Sequence, residues 1–215
     1  MCPSWAGLPV AGFSNDETPE WRVPLLKNEN GSVVTDSVQS PIARFMPTYD
    51  LLAAYCHTDY RVELADRHFS ICPGEPSTDV DALLREVTEV SWAVITAENP
   101  RSRQVSDAEN AAHRERLRQR LEQRGWQFFP TTAICPESSW PAEHGHLIVG
   151  PSVQEALTLA REFDQHAIVY GLIDQPVTLL FTDPVAWQSA LQQGAESEDA
   201  RVKMAVERVT QAEMS

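Results

Sequence analysis

A chain of 215 residues is long enough for one sizeable core with extensions, and 42% hydrophobic with 22% charged residues is an ordinary globular composition. The formal net charge of −14 excludes the basic footprint that general binding to nucleic acid or anionic lipid requires, while leaving room for a local basic patch. Cys2, Cys56, Cys72 and Cys135 form neither a C-x-x-C pair nor a disulfide framework, no signal-peptide pattern opens the chain, and no run is long enough to span a bilayer, so the expected compartment is the cytoplasm.

Residues 1–47 are rich in Pro, Asn, Ser and Asp without a sustained period, which predicts a partly ordered arm with at most a short strand at Val33 and Val34. "TYDLLAAYCHT" predicts a short helix with Leu51, Leu52 and Tyr55 inward, and "YRVEL" and "HFSIC" alternate as a hairpin around "ADR". "STDVDALLREV" carries capping residues and places Val80, Leu83, Leu84 and Val87 on one helical face. "SWAVITA" is nearly continuous in apolar residues, as a strand buried on both faces should be.

"SDAENAAHRERLRQRLEQRG" reads as a helix capped by Ser106, boxed by Glu109 and ended by Gly125. "WQFFPTT" predicts a strand, "AICPESSWPAEHG" a loop and "HLIVG" another strand. "SVQEALTLAREF" predicts a helix with Val153, Ala156, Leu157 and Ala160 inward, followed by strands at "HAIVYG" and "VTLLFT". Beyond Pro184 the pattern is a small helix, an acidic break and a weakly amphipathic last helix. The predicted organisation is an arm over 1–47, a single α+β domain over 48–183 and a helical acidic tail over 184–215.

From Ser91 to Gly171 the order is β-α-β-β-α-β, which predicts a ferredoxin-like (split βαβ) core, its sheet extended by the N-terminal hairpin and helix and by the strand at 177–182. That topology brings three polar clusters to one sheet edge: Thr96, Asn99, Arg101, Ser102 and Arg103; Trp140, Glu143, His144 and His146; Gln165 and His166. Asn99-Pro100 is first of all a turn starter. Arg101 and Arg103 beside a helix N-terminus also suit an anionic group such as a phosphate or carboxylate, although phosphate-loop glycines are absent. The arginines at 114, 116, 118, 120 and 124, interspersed with Glu115 and Glu122, read as a solvated helix face rather than a nucleic-acid surface.

"EHGHL" sets His144 and His146 on one face, yet two histidines without a clear third ligand fall short of a metal site. Cys135 would need one of them as a base to act as a nucleophile, and no motif fixes that geometry. Gln165 either satisfies carbonyls at a helix end or reaches a ligand at the shared edge. No pattern in the chain specifies a cofactor or a reaction.

"YCHTDYRV", "WAVITAENPRSRQVSDAEN", "LIVG" and "FDQHAIVYG" together resemble the bacterial domain-of-unknown-function family 3293 (DUF3293), over roughly residues 49–182. The resemblance implies that Thr96, Asn99, Pro100, Ser102, Asn110 and Gln165 occupy motif positions, and it brings no established activity. The family's usual Phe-Gly-Gln reads "FDQ" here, with Asp164 for the glycine, and an expected Trp-Pro-Glu-Glu-Ser reads "WPAEHGH".

The reading that follows is a site for a small polar or anionic ligand of nucleotide or metabolite size, formed by Thr96, Asn99, Arg101, Ser102, Arg103, Asn110, Trp140 and Gln165. The alternative is a non-catalytic regulatory or protein-interaction module that meets a partner through its acidic tail.

Overall fold

The computed structural model describes residues 47–136 and 138–213, side chains as far as 209. The predicted arm up to residue 46, with Val33 and Val34, lies outside the described residues. Helix α1 (Tyr49–His57) leads into strands β1 (Asp59–Glu63) and β2 (His68–Ile71), then helix α2 (Thr78–Val87) and strand β3 (Ser91–Thr96). A single 3-10 turn at Pro100–Ser102 precedes α3 (Asp107–Arg124), β4 (Phe128–Ile134), β5 (Glu143–Val149) and α4 (Val153–Glu162). The chain finishes with β6 (Ala167–Leu172), β7 (Thr178–Phe181), α5 (Pro184–Ala195) and α6 (Ala200–Glu213).

The seven strands form one curled sheet in the order β2-β1-β4-β5-β3-β6-β7, every neighbouring pair antiparallel. The protein is therefore α+β, with six α-helices among the described residues. The β1–β2 hairpin and β7 extend the sheet on either side, as the sequence pattern predicts. The curl brings the sheet's two edges together at one end. Pro76 bridges Pro176, the Gly74 N–H donates to the Val177 carbonyl at 2.8 Å, and the Val177 N–H donates to the Glu75 carbonyl at 2.9 Å.

β3 explains its own composition. It lies between β5 and β6 with helices over both faces, so Trp92 and Val94 enter one hydrophobic cluster while Ala93 and Ile95 enter the other. Alternation inside a strand buried on both sides produces a continuous apolar run. On one face α3 contributes Leu117 and Leu121, and α4 contributes Ala156, Leu159 and Ala160. On the opposite face sit Leu52 and Cys56 of α1, Val80, Leu83 and Leu84 of α2, and the buried residues of α5 and α6. Trp92 spans toward β6 because its register partner there is Gly171, where any Cβ would strike the indole.

Two sequence expectations shift. In α4 the inward face carries Leu159, while Val153 is 42% exposed, because the helix presents its i, i+3, i+4 stripe from Ala156. The segment expected as a tail packs into the domain: Trp187 of α5 stacks on Phe181 at 4.4 Å, and Val202, Ala205, Val206 and Val209 of α6 are buried in the same cluster as β7. Acidic residues in this segment masked an inward apolar stripe. Among the described residues, no helix is long and apolar enough to cross a membrane.

Candidate functional site

The site grows from the turn that follows β3. Thr96 ends the strand by donating through Oγ1 to the His144 carbonyl at 3.0 Å, and it accepts the Glu98 N–H at 3.0 Å. Three side-chain-bearing residues then adopt left-handed backbone conformations: Asn99 (φ 46°), Arg101 (φ 56°) and Ser102 (φ 52°). Each costs on the order of 1–2 kcal/mol in a residue with a Cβ, with Asn the most tolerant. What holds Asn99 there is a reciprocal pair with Asn110 in the first turn of α3. Asn99 donates its N–H to Asn110 Oδ1 at 2.9 Å, and Asn110 Nδ2 returns a bond to Asn99 Oδ1 at 3.0 Å. The Val105 N–H also donates to Asn99 Oδ1, at 3.2 Å. α3 itself starts with the predicted Ser106–Glu109 capping box.

This arrangement aims the remaining donor of Asn99 across the sheet edge. Its Nδ2 donates to Glu143 Oε1 at 2.9 Å, and the Trp140 indole Nε1–H donates to the same oxygen at 2.9 Å. Burial pushes the Glu143 carboxyl above its ordinary value; these two hydrogen bonds oppose the shift and the nearby negative charge of Glu98 reinforces it. Glu98 lies beneath, almost wholly buried. It is paired with Arg114 through Oε1 and accepts the His144 N–H through Oε2 at 2.9 Å. Two carboxylates thus share one region, one with a cationic partner and one with neutral donors only.

Above this cluster the sheet and α1 enclose a cavity of about 320 Å³. α1 supplies Leu51, Ala54 and Tyr55, and the strands supply Tyr60, Val94, Ala133, Gly145 and Ala167. Asn99, Ser102, Trp140, Glu143 and Gln165 are among its polar lining residues. Gly145 is required on the Glu143 strand, since a Cβ would collide with the Ile95 carbonyl oxygen on β3. Tyr55 pairs its hydroxyl with Ser102 Oγ at 3.2 Å, and burial, with the Glu143 charge adding, pushes its phenol up to about 12. Burial likewise raises Tyr60.

The eight residues expected to form the ligand site separate into three groups. Thr96, Asn99, Ser102, Trp140 and Gln165 line the cavity. Asn110 stands behind Asn99 as its support. Arg101 and Arg103 are not among the lining residues. Arg101 instead donates to Asp164 Oδ1 from Nε at 3.0 Å and Nη2 at 2.7 Å, with both side chains more than half exposed. Gln165 spends its Nε2 on the Phe163 and Glu98 carbonyls, at 3.2 and 3.1 Å.

His144 and His146 lie on the other face of β5 from Glu143 and Gly145, as strand alternation demands. Cys135 lines the cavity without either as a neighbour on the wall. His146 packs edge-on to Phe128 at 5.0 Å, and burial lowers its imidazole to about 4. Among the described residues no group of three or more His, Cys, Asp or Glu is placed to hold a metal ion. Along α3 the arginines are spent on the protein itself: Arg118 on Glu115 and Glu122, Arg120 on Glu162, Arg124 over the Trp126 ring.

Two parts of the site escape sequence reasoning. The α1 wall carries the same signal as a core face, because Leu51 and Tyr55 are inward in either case. Glu143 appears in the sequence as one member of a loop cluster; its signal is the Trp-x-x-Glu spacing that lets the indole at 140 reach the carboxylate at 143.

Residues 95–168 match the model of a family described as "Protein of unknown function (DUF3293)". The match spans the β3 turn, α3, β4, β5 and α4, and so takes in Asn99, Asn110, Trp140, Glu143 and Gln165 but not the α1 wall. No curated protein and no solved structure gives a significant match. Where the family's glycine was expected, Asp164 has φ 53°, a conformation glycine adopts freely, and its carboxylate is the partner of Arg101.

Proposed function

We propose that this domain binds one small molecule in the cavity between α1 and the sheet, with a mainly apolar body against Leu51, Ala54, Tyr60 and Val94 and a polar head toward Glu143. The observation that carries this reading is the combination of an apolar cavity of about 320 Å³ with a few convergent polar groups at one end. A volume near the lower end of ligand pockets, lined this way, is the usual form of a small-molecule site. Strained backbone at Asn99, Arg101 and Ser102, held by bonds that leave the Asn99 amide aimed at Glu143, supports it further.

The chemistry of the head group differs from the sequence expectation. Among the described residues no arginine, lysine or histidine lines the cavity, while Asp50 and Glu143 do, so an anion finds no counter-charge among them. The strand order β4-β5-β3-β6 with α3 and α4 as crossovers supports reading residues 91–172 as a ferredoxin-like core within the larger sheet. A cytoplasmic setting goes with this reading.

The test is a thermal-shift screen of compact, mainly apolar compounds against the wild type and Ala54→Phe, which fills the cavity from α1 without touching the polar end. Compounds that raise the wild-type melting temperature are expected to lose their effect on Ala54→Phe. Equal shifts in both proteins would place binding elsewhere.

A further inference from the structure

Resting on the cavity reading above, we infer that the occupant is an organic cation, a protonated amine on a compact apolar or aromatic body, with its ammonium against the free oxygen of Glu143. Hydrogen-bond accounting leads there. Glu143 Oε1 accepts from both Asn99 Nδ2 and Trp140 Nε1, each at 2.9 Å, and Oε2 accepts from no described residue. Oε2 is left available to a ligand, and a carboxylate on a mainly apolar wall offers a charge for a cationic donor to meet. Among the described residues the wall supplies no cation. Arg114 and Arg101, whose neighbours Glu98 and Ser102 belong to the same turn as Asn99, are committed elsewhere, Arg114 to Glu98 and Arg101 to Asp164.

Among the described residues, the other charged side chain on the wall is also acidic. That residue is Asp50, while Glu98, though paired with Arg114, adds a small upward push on the Glu143 carboxyl. An anionic head would meet like charge; an alcohol would satisfy one lone pair without neutralising anything; an ammonium does both. Tyr55, Tyr60 and Trp140 line the same wall, and aromatic rings are side chains with which a cation can interact favourably. The net charge of −14 favours the approach of cations over anions at long range.

A matched trio separates the classes: benzylamine, benzyl alcohol and benzoate share one ring and differ in head-group charge. Titration calorimetry near neutral pH is expected to rank benzylamine first and benzoate last. Glu143→Gln keeps the Oε1 acceptor for Asn99 and Trp140 while removing the charge. It is expected to weaken benzylamine roughly ten- to hundred-fold, the worth of a hydrogen bond to a charged group, with little change for benzyl alcohol. Glu143→Asp, which retains charge, should retain preference for the amine, and melting curves of both variants verify the fold. Benzyl alcohol or benzoate equalling benzylamine on the wild type would overturn the cation assignment. So would failure of benzylamine alone while other compounds still distinguish wild type from Ala54→Phe, and that result leaves the cavity reading standing. No compound distinguishing those two proteins would remove both.

Discussion

Replacing Arg114 with methionine is expected to destabilise the protein by about 3 kcal/mol, measured as the shift in a urea or thermal unfolding curve. The reason is not the ion pair's own worth but what remains without it. The Glu98 side chain is only 4% exposed, against 38% for Arg114, so removing the guanidinium leaves a buried carboxylate with a single His144 N–H as its donor. The double variant Arg114→Met with Glu98→Gln should recover much of the loss, because the stranded charge is gone. Arg101→Ala is the contrast. Its partner Asp164 is half exposed, and an exposed pair is worth less than about 1 kcal/mol. If Arg101→Ala costs as much as Arg114→Met, the assignment of the buried charge is wrong.

Asn99→Ala is expected to cost about 3 kcal/mol and to disturb the cavity at the same time. The buried Asn110 loses its acceptor, the Val105 N–H loses its own, and an alanine must occupy a left-handed backbone position. Glycine at 99 isolates the backbone share, since it occupies φ 46° without penalty; Asn99→Gly should be about 1 kcal/mol more stable than Asn99→Ala. Both variants remove the Nδ2 donor from Glu143, so both should weaken binding of any compound that depends on Ala54. Equal stability of the two would show that the left-handed conformation does not belong to this side chain.

Much of the domain is legible in the sequence, for identifiable reasons. The apolar run at 91–97, the Ser106–Glu109 box and Gly125 are local signals whose physics does not depend on the rest of the chain. The packing of α5 and α6 is not local. Trp187 and Val202 declare themselves only once β7 and α1 are in place to receive them. The site divides along the same line. Strand order brings the β3 turn, the Trp140 loop and Gln165 to one edge, and Asn99 meets Glu143 there. Of the two arginines that suggested an anion, Arg101 is spent on Asp164, sixty-three residues along the chain, a pairing no local pattern reveals. With Arg101 paired to Asp164 and Arg103 not among the lining residues, the cavity takes its character from Glu143, whose importance comes from a cavity wall that α1 completes. Helical periodicity marks Leu51 and Tyr55 as inward and is silent on whether inward means core or ligand.

The Trp140 indole offers the most direct test, because its N–H is bonded to the carboxylate on which the account turns. The measurement is its indole resonance in a proton–nitrogen correlation spectrum, followed while adding a compound that stabilises the wild type but not Ala54→Phe. The expected result is a progressive, saturable shift of the Trp140 signal, with the Trp126 indole, which packs with the cluster on the opposite face of the sheet, unmoved. A saturating compound that leaves Trp140 in place while shifting Trp126 would contradict the account and move the site to the other side of the sheet.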